Sequence, residues 1–288
     1  MELMTCIDIP KSGWKMETGA KVLLVGSCFA DEVGQKMRKG GFEAMVNPFG
    51  TLYNPASIAA SLDAVISEKW ESSVDEASEQ VFQDGAGIWH SWMHHSRFSS
   101  QDRQDLVGRI NQVNREVSDF LRAADVLIVT FGTSVIYRLK ATGMLVANCH
   151  KMPDSMFVRE RMEVGDIAGR WTVLLRRLAA VNPRLKVLFT VSPIRHKRDG
   201  FHINQISKGI LLQAVDEMAV DYFPSYEIMM DELRDYRFYA DDMIHPSERA
   251  VEYIWQRFQD TYFDHKTKDA VAKAAKEWTR HQHRKLIL

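Results

Sequence analysis

Val22-Leu23-Leu24-Val25-Gly26-Ser27-Cys28-Phe29-Ala30 sets the reading of the whole chain. Four consecutive apolar residues predict a buried strand. Gly26 and Ser27 mark a sharp turn, and Ala30, Val33 and Met37 then follow at helical spacing. A strand feeding a helix through a Gly-Ser turn sets a hydroxyl at the strand's C-terminal end, beside the free N–H groups of the helix start. Those donors and the helix dipole suit a developing negative charge, and open α/β sheets bind ligands at such strand ends. Ser27 therefore reads as a nucleophile. It also reads as an ordinary helix-capping serine, and this stretch alone leaves that plainer reading ahead.

Outward from it, further strands are predicted at 42–46, 126–131, 187–191 and 220–223, with a short one at Leu145-Val146-Ala147. Between them run amphipathic helices. Leu106, Ile110, Val113, Val117, Phe120 and Leu121 recur at helical intervals, as do Ile167, Trp171, Leu174, Leu175 and Leu178, and then Ile206, Ile210, Leu211, Ala214, Val215 and Met218. Pro55 and Pro246 are each placed to open a helix. Strands alternating with helices imply a largely parallel sheet covered on both faces. The segment from Ser67 to Gln80 is acidic and weakly periodic and reads as a solvated helix or loop. Trp89, His90, Trp92, His94, His95 and Phe98 crowd one short segment, which reads as a loop packed on the core or as a pocket wall. The basic, Ala-rich tail, 264–288, is predicted to pack as a surface helix on the domain formed by residues 1–263.

The composition narrows the function classes. The 288 residues carry 37 basic and 38 acidic side chains, so no global field draws nucleic acid or an anionic membrane. Three cysteines, Cys6, Cys28 and Cys149, lie far apart and form no zinc pattern; an odd number fits a reducing compartment. The stretch from Met1 to Lys15 lacks the apolar run of a secretory leader, and no segment is long and apolar enough to span a membrane. These features predict a soluble, cytoplasmic protein with neither a nucleic-acid nor a membrane partner. The sequence carries no signal for oligomeric state.

Chemistry-bearing residues gather at predicted strand ends: Gly26-Ser27, then Gly50, then Gly132-Thr133-Ser134. Asp242-x-x-His245 stands just before the last core helix. A serine hydroxyl needs a base to take its proton. Histidine titrates near working pH, and a carboxylate holds the imidazole in one tautomer. Each motif is weak alone; their co-occurrence at opposite ends of an α/β chain points to acyl chemistry.

The chain resembles the GSCFA-domain proteins, named for the string Gly26-Ser27-Cys28-Phe29-Ala30. The resemblance runs over roughly 20–258 and takes in Asn47-Pro48-Phe49-Gly50, Phe131-Gly132-Thr133, Asn148-Cys149-His150-Lys151, Ser192-Pro193 with Arg195-His196, Ser207-Lys208 and Asp242 through His245-Pro246. That family looks like a branch of the SGNH (GDSL-like) hydrolases. The resemblance implies a three-layer α/β/α sandwich with a mainly parallel, flavodoxin-like central sheet. It also implies a Ser27–His245–Asp242 triad acting without metal or organic cofactor. The oxyanion hole it implies uses the Ser27 and Gly50 N–H groups and a third donor. Gly132-Thr133-Ser134 stands where Gly-x-Asn is expected, and Gly26 where Asp commonly precedes the serine. Ser134, Asn148 and Asn47 are then the candidates for the third donor, with the Gly132–Ser134 turn preferred. Asn47, Gly132, Thr133, His150, Arg195 and His196 are the candidate substrate contacts. The expected function is a serine esterase or O-acyltransferase acting on a small acyl ester, such as an O-acetyl group on a sugar. The alternative is a non-catalytic domain of the same fold that binds a glycan or metabolite.

Overall fold

The computed structural model describes residues 5–67 and 79–287, with side chains through 281; the acidic segment 68–78 lies outside the described residues. The strands are β1 (Lys21–Gly26), β2 (Glu43–Val46), β3 (Val81–Gln83), β4 (Trp89–Ser91), β5 (Val126–Phe131), β6 (Val135–Leu139), β7 (Leu145–Val146), β8 (Phe157–Arg161), β9 (Lys186–Val191) and β10 (Asp221–Phe223). The main helices are α1 (Cys28–Lys39), α2 (Pro55–Ile66), α3 (Arg103–Ala123), α4 (Val164–Val181), α5 (Phe201–Met218), α6 (Glu248–Tyr262) and α7 (His265–Ile287).

Side chains alternate across a strand, and β1 divides accordingly. Leu23 and Val25 join one core with Leu127, Val129, Phe189 and Trp171, under α2 to α5. Val22 and Leu24 join the other with Ile128, Leu188, Phe29 and Trp255, under α1 and α6. Burying each such large apolar side chain stabilises the fold by roughly 1.5–3 kcal/mol. The result is an α/β/α sandwich around a wholly parallel sheet in the order β10-β9-β5-β1-β2. From β1 the chain steps outward to β2 and later returns to the other side at β5. The strand order therefore reverses between β1 and β5, and the crevice at their C-terminal ends is the place where such sheets take ligands. Gly26 pairs in register with Thr130, so Ser27 and Gly132 both emerge at that point.

Two additions went unforeseen. The β3–β4 hairpin and an antiparallel sheet β7-β6-β8 stand beside the main sheet. Only β7 was expected, because β3 and β4 are three residues each and β8 carries three charged residues in five. The crowded aromatic segment both packs as core and forms cavity wall: Trp92 is buried and stacks on Phe82 at 3.6 Å, while His94 and His95 each line a cavity. One helix start is corrected. Pro246 does not open α6; it bridges Tyr239 in extended backbone, and Ser247 caps the helix through Ala250 N–H at 3.3 Å. On α7, Val271 is buried in the second core. Among the described residues no helix is long and apolar enough to cross a membrane.

Candidate functional site

Ser27 sits where the sheet ends and α1 begins. Gly26 takes φ +139°, and its N–H donates to Asn47 Oδ1 at 2.9 Å. A Cβ on Gly26 would lie 2.1 Å from the Thr130 carbonyl oxygen, which explains why no aspartate precedes this serine. Ser27 is the N-cap of α1, its Oγ accepting from Phe29 N–H at a long 3.4 Å. The residue is fully buried. The capping reading of the sequence is thus correct as far as it goes, and it leaves the hydroxyl proton free.

Asp242 and His245 are joined on one loop. Asp242 Oδ1 accepts from the Ile244 and His245 N–H groups at 2.9 and 3.0 Å, and Oδ2 meets His245 Nδ1 at 2.5 Å. Hydrogen bonds from the His245 backbone and ring and from Ile244 N–H hold the Asp242 carboxyl down to about 2. Both side chains are about half exposed. A carboxylate on Nδ1 fixes the neutral tautomer with Nδ1–H and frees Nε2 as acceptor. The loop is tied to the segment after β9: Arg195 N–H donates to Ile244 O at 3.2 Å and Arg195 Nη1 to Met243 O at 3.1 Å. Arg195 also lies over the Phe201 ring at 3.9 Å. Arg195, expected as a substrate contact, also ties down the His245 loop through its backbone N–H and Nη1.

The next residue, His196, points inward. A Cβ built on Gly132 would lie 2.9 Å from His196 Nε2, 2.9 Å from Tyr53 O and 3.3 Å from Ser27 Cβ. Gly132 therefore keeps open a small space shared by a serine, an imidazole and a carbonyl. The turn around it is held from two sides. Tyr53 O accepts from the Gly132 and Thr133 N–H groups at 2.8 and 2.9 Å. From α5, Ser207 Oγ accepts from Ser134 N–H at 2.6 Å and meets Thr133 Oγ1 at 3.0 Å. Lys208 Nζ donates to Gly132 O and Ser192 O, both at 2.7 Å, and burial lowers this lysine to about 7. Sequence reasoning gave Ser207 and Lys208 no role. The available signal was two polar residues in the middle of the apolar face of α5.

The backbone amides expected as oxyanion donors are engaged elsewhere. Ser27 N–H donates to Thr130 O at 3.1 Å and so continues the sheet; Gly50 N–H donates to Asn47 O at 2.8 Å and closes its own turn. Ser134 is buried, and its N–H and hydroxyl both face Ser207. Asn47 and Asn148 each use the side-chain oxygen as an acceptor, from Gly26 N–H and His150 N–H, both at 2.9 Å, and Asn47 Nδ2 is buried with no partner among the described residues. The physical reason is common to the three backbone amides: buried N–H groups at strand ends and turns take protein acceptors first.

Beside the Gly132 turn opens a cleft of about 600 Å³ lined by Tyr53, Asn54, Thr133, His150, His196 and Arg198 among others. His150 thus stands in the wall as expected, in left-handed backbone with its neighbour Lys151, a conformation that is costly outside glycine. A larger hollow, about 920 Å³, runs along α2 and α4 on one face of the sheet, away from the Asp242–His245 loop. Among the described residues no three His, Cys, Asp or Glu side chains gather as a metal site.

Burial keeps two histidines neutral: His94 is lowered to about 4, and His196 to about 3 with help from the Lys208 and His245 charges. Both titrate near 6.5 in an unfolded chain. Below 6.5 the unfolded state binds more protons, so their contribution is fully present above that pH and drains as pH falls toward 4. Tm is expected to drop between pH 6.5 and 4, and His94→Gln to flatten part of the drop. A thermal melt series across that interval checks both; equal slopes in the two proteins would remove His94 from the account.

No curated protein matches the chain. Three solved structures are similar in fold. A candidate GDSL-like lipase from Parabacteroides merdae is 10% identical with a TM-score of 0.42, covering 88% of this chain and 98% of that one. A candidate platelet activating factor from Streptococcus pneumoniae is 12% identical with a TM-score of 0.40, covering 84% of each chain. A carbohydrate esterase of family 3 from Talaromyces cellulolyticus is 11% identical with a TM-score of 0.37, covering 88% and 99%. The GSCFA family model matches residues 21–258, and the chain belongs to the GSCFA family.

Proposed function

We propose that this protein is a serine-dependent ester hydrolase or O-acyltransferase acting on a small acyl ester, an O-acetyl group on a carbohydrate being one such substrate. Ser27 Oγ attacks the ester carbonyl carbon while His245 Nε2 takes the hydroxyl proton. Asp242 holds the imidazole and stabilises its cation. Collapse of the tetrahedral intermediate expels the alcohol, which receives its proton from His245. Water, or an acceptor hydroxyl, then attacks the acyl-Ser27 carbonyl by the same route. The observation that carries this reading is the Asp242 Oδ2–His245 Nδ1 hydrogen bond at 2.5 Å. It is supported by the loop's ties to Arg195, next to the His196 ring that shares the Gly132 space with Ser27.

The test is turnover of p-nitrophenyl acetate. Ser27→Ala is expected to lose about 10⁴–10⁶ in kcat. The substitution also removes a helix cap, costing about 1 kcal/mol, so a thermal melt accompanies it. Wild-type turnover in a folded Ser27→Ala protein would end the nucleophile assignment. The engaged Ser27 and Gly50 amides and the buried hydroxyl favour a second reading, a non-catalytic glycan- or metabolite-binding domain. On that reading neither protein turns over esters, and both bind the same ligand equally.

A further inference from the structure

The chemistry proposed above requires a donor for the oxyanion, and each backbone amide nominated from the sequence is already bonded to protein. Two buried polar atoms near Ser27 are not: Asn47 Nδ2, on the side chain that lies beside the Asp31 carboxyl, and His196 Nε2, which borders the Gly132 space. His196 Nε2 is buried and has no hydrogen-bond partner among the described residues. Buried polar atoms are paired as a rule, so an orphan at a strand end calls for an explanation. Its surroundings supply one. Nε2 and Ser27 Cβ face each other across the space that Gly132 leaves open. An oxygen standing where a Gly132 Cβ would be lies 2.9 Å from Nε2, a hydrogen-bond distance, and 2.9 Å from Tyr53 O.

We infer that His196, as a neutral imidazole donating from Nε2–H, holds the oxyanion formed on Ser27. The inference rests on the proposed Ser27 chemistry. In the step, the Ser27 Oγ–C bond forms, the carbonyl π pair moves onto oxygen, and the Oγ proton goes to His245 Nε2. His196 gives up no proton; it supplies one N–H···O⁻ hydrogen bond and takes it back when the carbonyl re-forms.

Three features suit it to that task. First, its ring is fixed before substrate arrives: Tyr53 packs edge-on at 5.4 Å and 85°, and the His196 N–H donates to Asn204 Oδ1 at 2.9 Å. A donor held in place costs no reorganisation in the transition state. Second, burial beside Lys208 keeps the imidazole uncharged through the working pH range, so it is a poor base there but still a donor. Third, His245 carries a carboxylate partner on Nδ1 and His196 has none among the described residues. Opposed environments around neighbouring titratable groups separate their roles: His245 moves the proton and His196 steadies the charge.

The experiment measures kcat, KM and the pH–rate profile for p-nitrophenyl acetate in wild type, His196→Ala, His196→Gln and Ser27→Ala. The rate of Ser27 labelling by a fluorophosphonate, read by mass spectrometry, gives a second readout. His196→Ala is expected to lose about 10²–10³ in kcat and in labelling rate, with KM within threefold and the acid limb of the profile unmoved. His196→Gln, which returns an N–H donor, is expected to recover at least tenfold of that loss and keeps the comparison open should the alanine variant fold poorly. A kcat for His196→Ala within threefold of wild type overturns the inference while an inactive Ser27→Ala leaves the nucleophile standing. Equal losses in Ala and Gln variants reduce His196 to a packing role, and a displaced acid limb makes it a base; either outcome also overturns it. Absence of both turnover and labelling in wild type removes the Ser27 reading and the inference together.

Discussion

Asp242→Asn is expected to lower kcat for p-nitrophenyl acetate by about 10⁴ while KM stays within a few fold, the scale seen when a triad carboxylate becomes an amide. Asp242 accepts three hydrogen bonds, two from backbone N–H groups through Oδ1 and one from the ring through Oδ2. Asparagine can satisfy the first two with its carbonyl oxygen. Its amide nitrogen then presents hydrogens to His245 Nδ1. The ring answers by carrying its proton on Nε2, which leaves no lone pair facing the serine. Loop geometry survives and catalysis does not. Since the Asp242 carboxyl is held down to about 2, it stays ionised above pH 4, and any acid limb observed there belongs to another group. The measurement is a kcat profile of both proteins from pH 4 to 9. An asparagine variant within tenfold of wild type would show that Asp242 does not orient the base.

Gly26→Ala is expected to destabilise the fold by about 4 kcal/mol or more, the range reserved for a buried clash without relief. The new methyl would meet backbone: Thr130 O at 2.1 Å and Thr130 C at 2.8 Å. Neither can swing aside, because Gly26 and Thr130 are paired in the centre of the sheet, and φ +139° strains any L side chain. Total stabilities of about 5–15 kcal/mol leave little margin for such a loss. Gly108→Ala serves as the control. That glycine lies exposed on α3, where an added Cβ meets nothing within 4 Å; the change is expected to stabilise by about 0.5–1 kcal/mol. Urea titration of the two variants reads both signs. A Gly26→Ala midpoint matching wild type would mean that the β1–β5 register is softer than described.

The main sheet was legible because β1, β5 and β9 are near-continuous apolar runs, as strands buried on both faces must be. The triad candidates were legible because Asp242 and His245 are neighbours in sequence. What escaped was decided by tertiary contact. That the Ser27 and Gly50 amides are taken by Thr130 and Asn47 follows from strand register and turn closure, which no spacing of residue types records. Arg195 and His196 are adjacent and looked equivalent. One backbone step turns the first outward onto Phe201 and the second inward to Gly132. Ser207 and Lys208 looked like interruptions of an apolar face until the carbonyls and amides of the Gly132 turn arrived opposite them. The β3–β4 hairpin was too short, and β8 too charged, to register as strand.

Ser27 stands at the first strand-to-helix junction, between β1 and α1, while Asp242 and His245 follow β10, the last strand. A polypeptide growing from its N-terminus therefore completes the interior strand long before it owns a base. On the proposed chemistry, ester turnover becomes a clock for assembly: during refolding, helical signal is expected to return as local segments wind, and catalysis only once the β1–α1 junction and the Asp242–His245 loop have met.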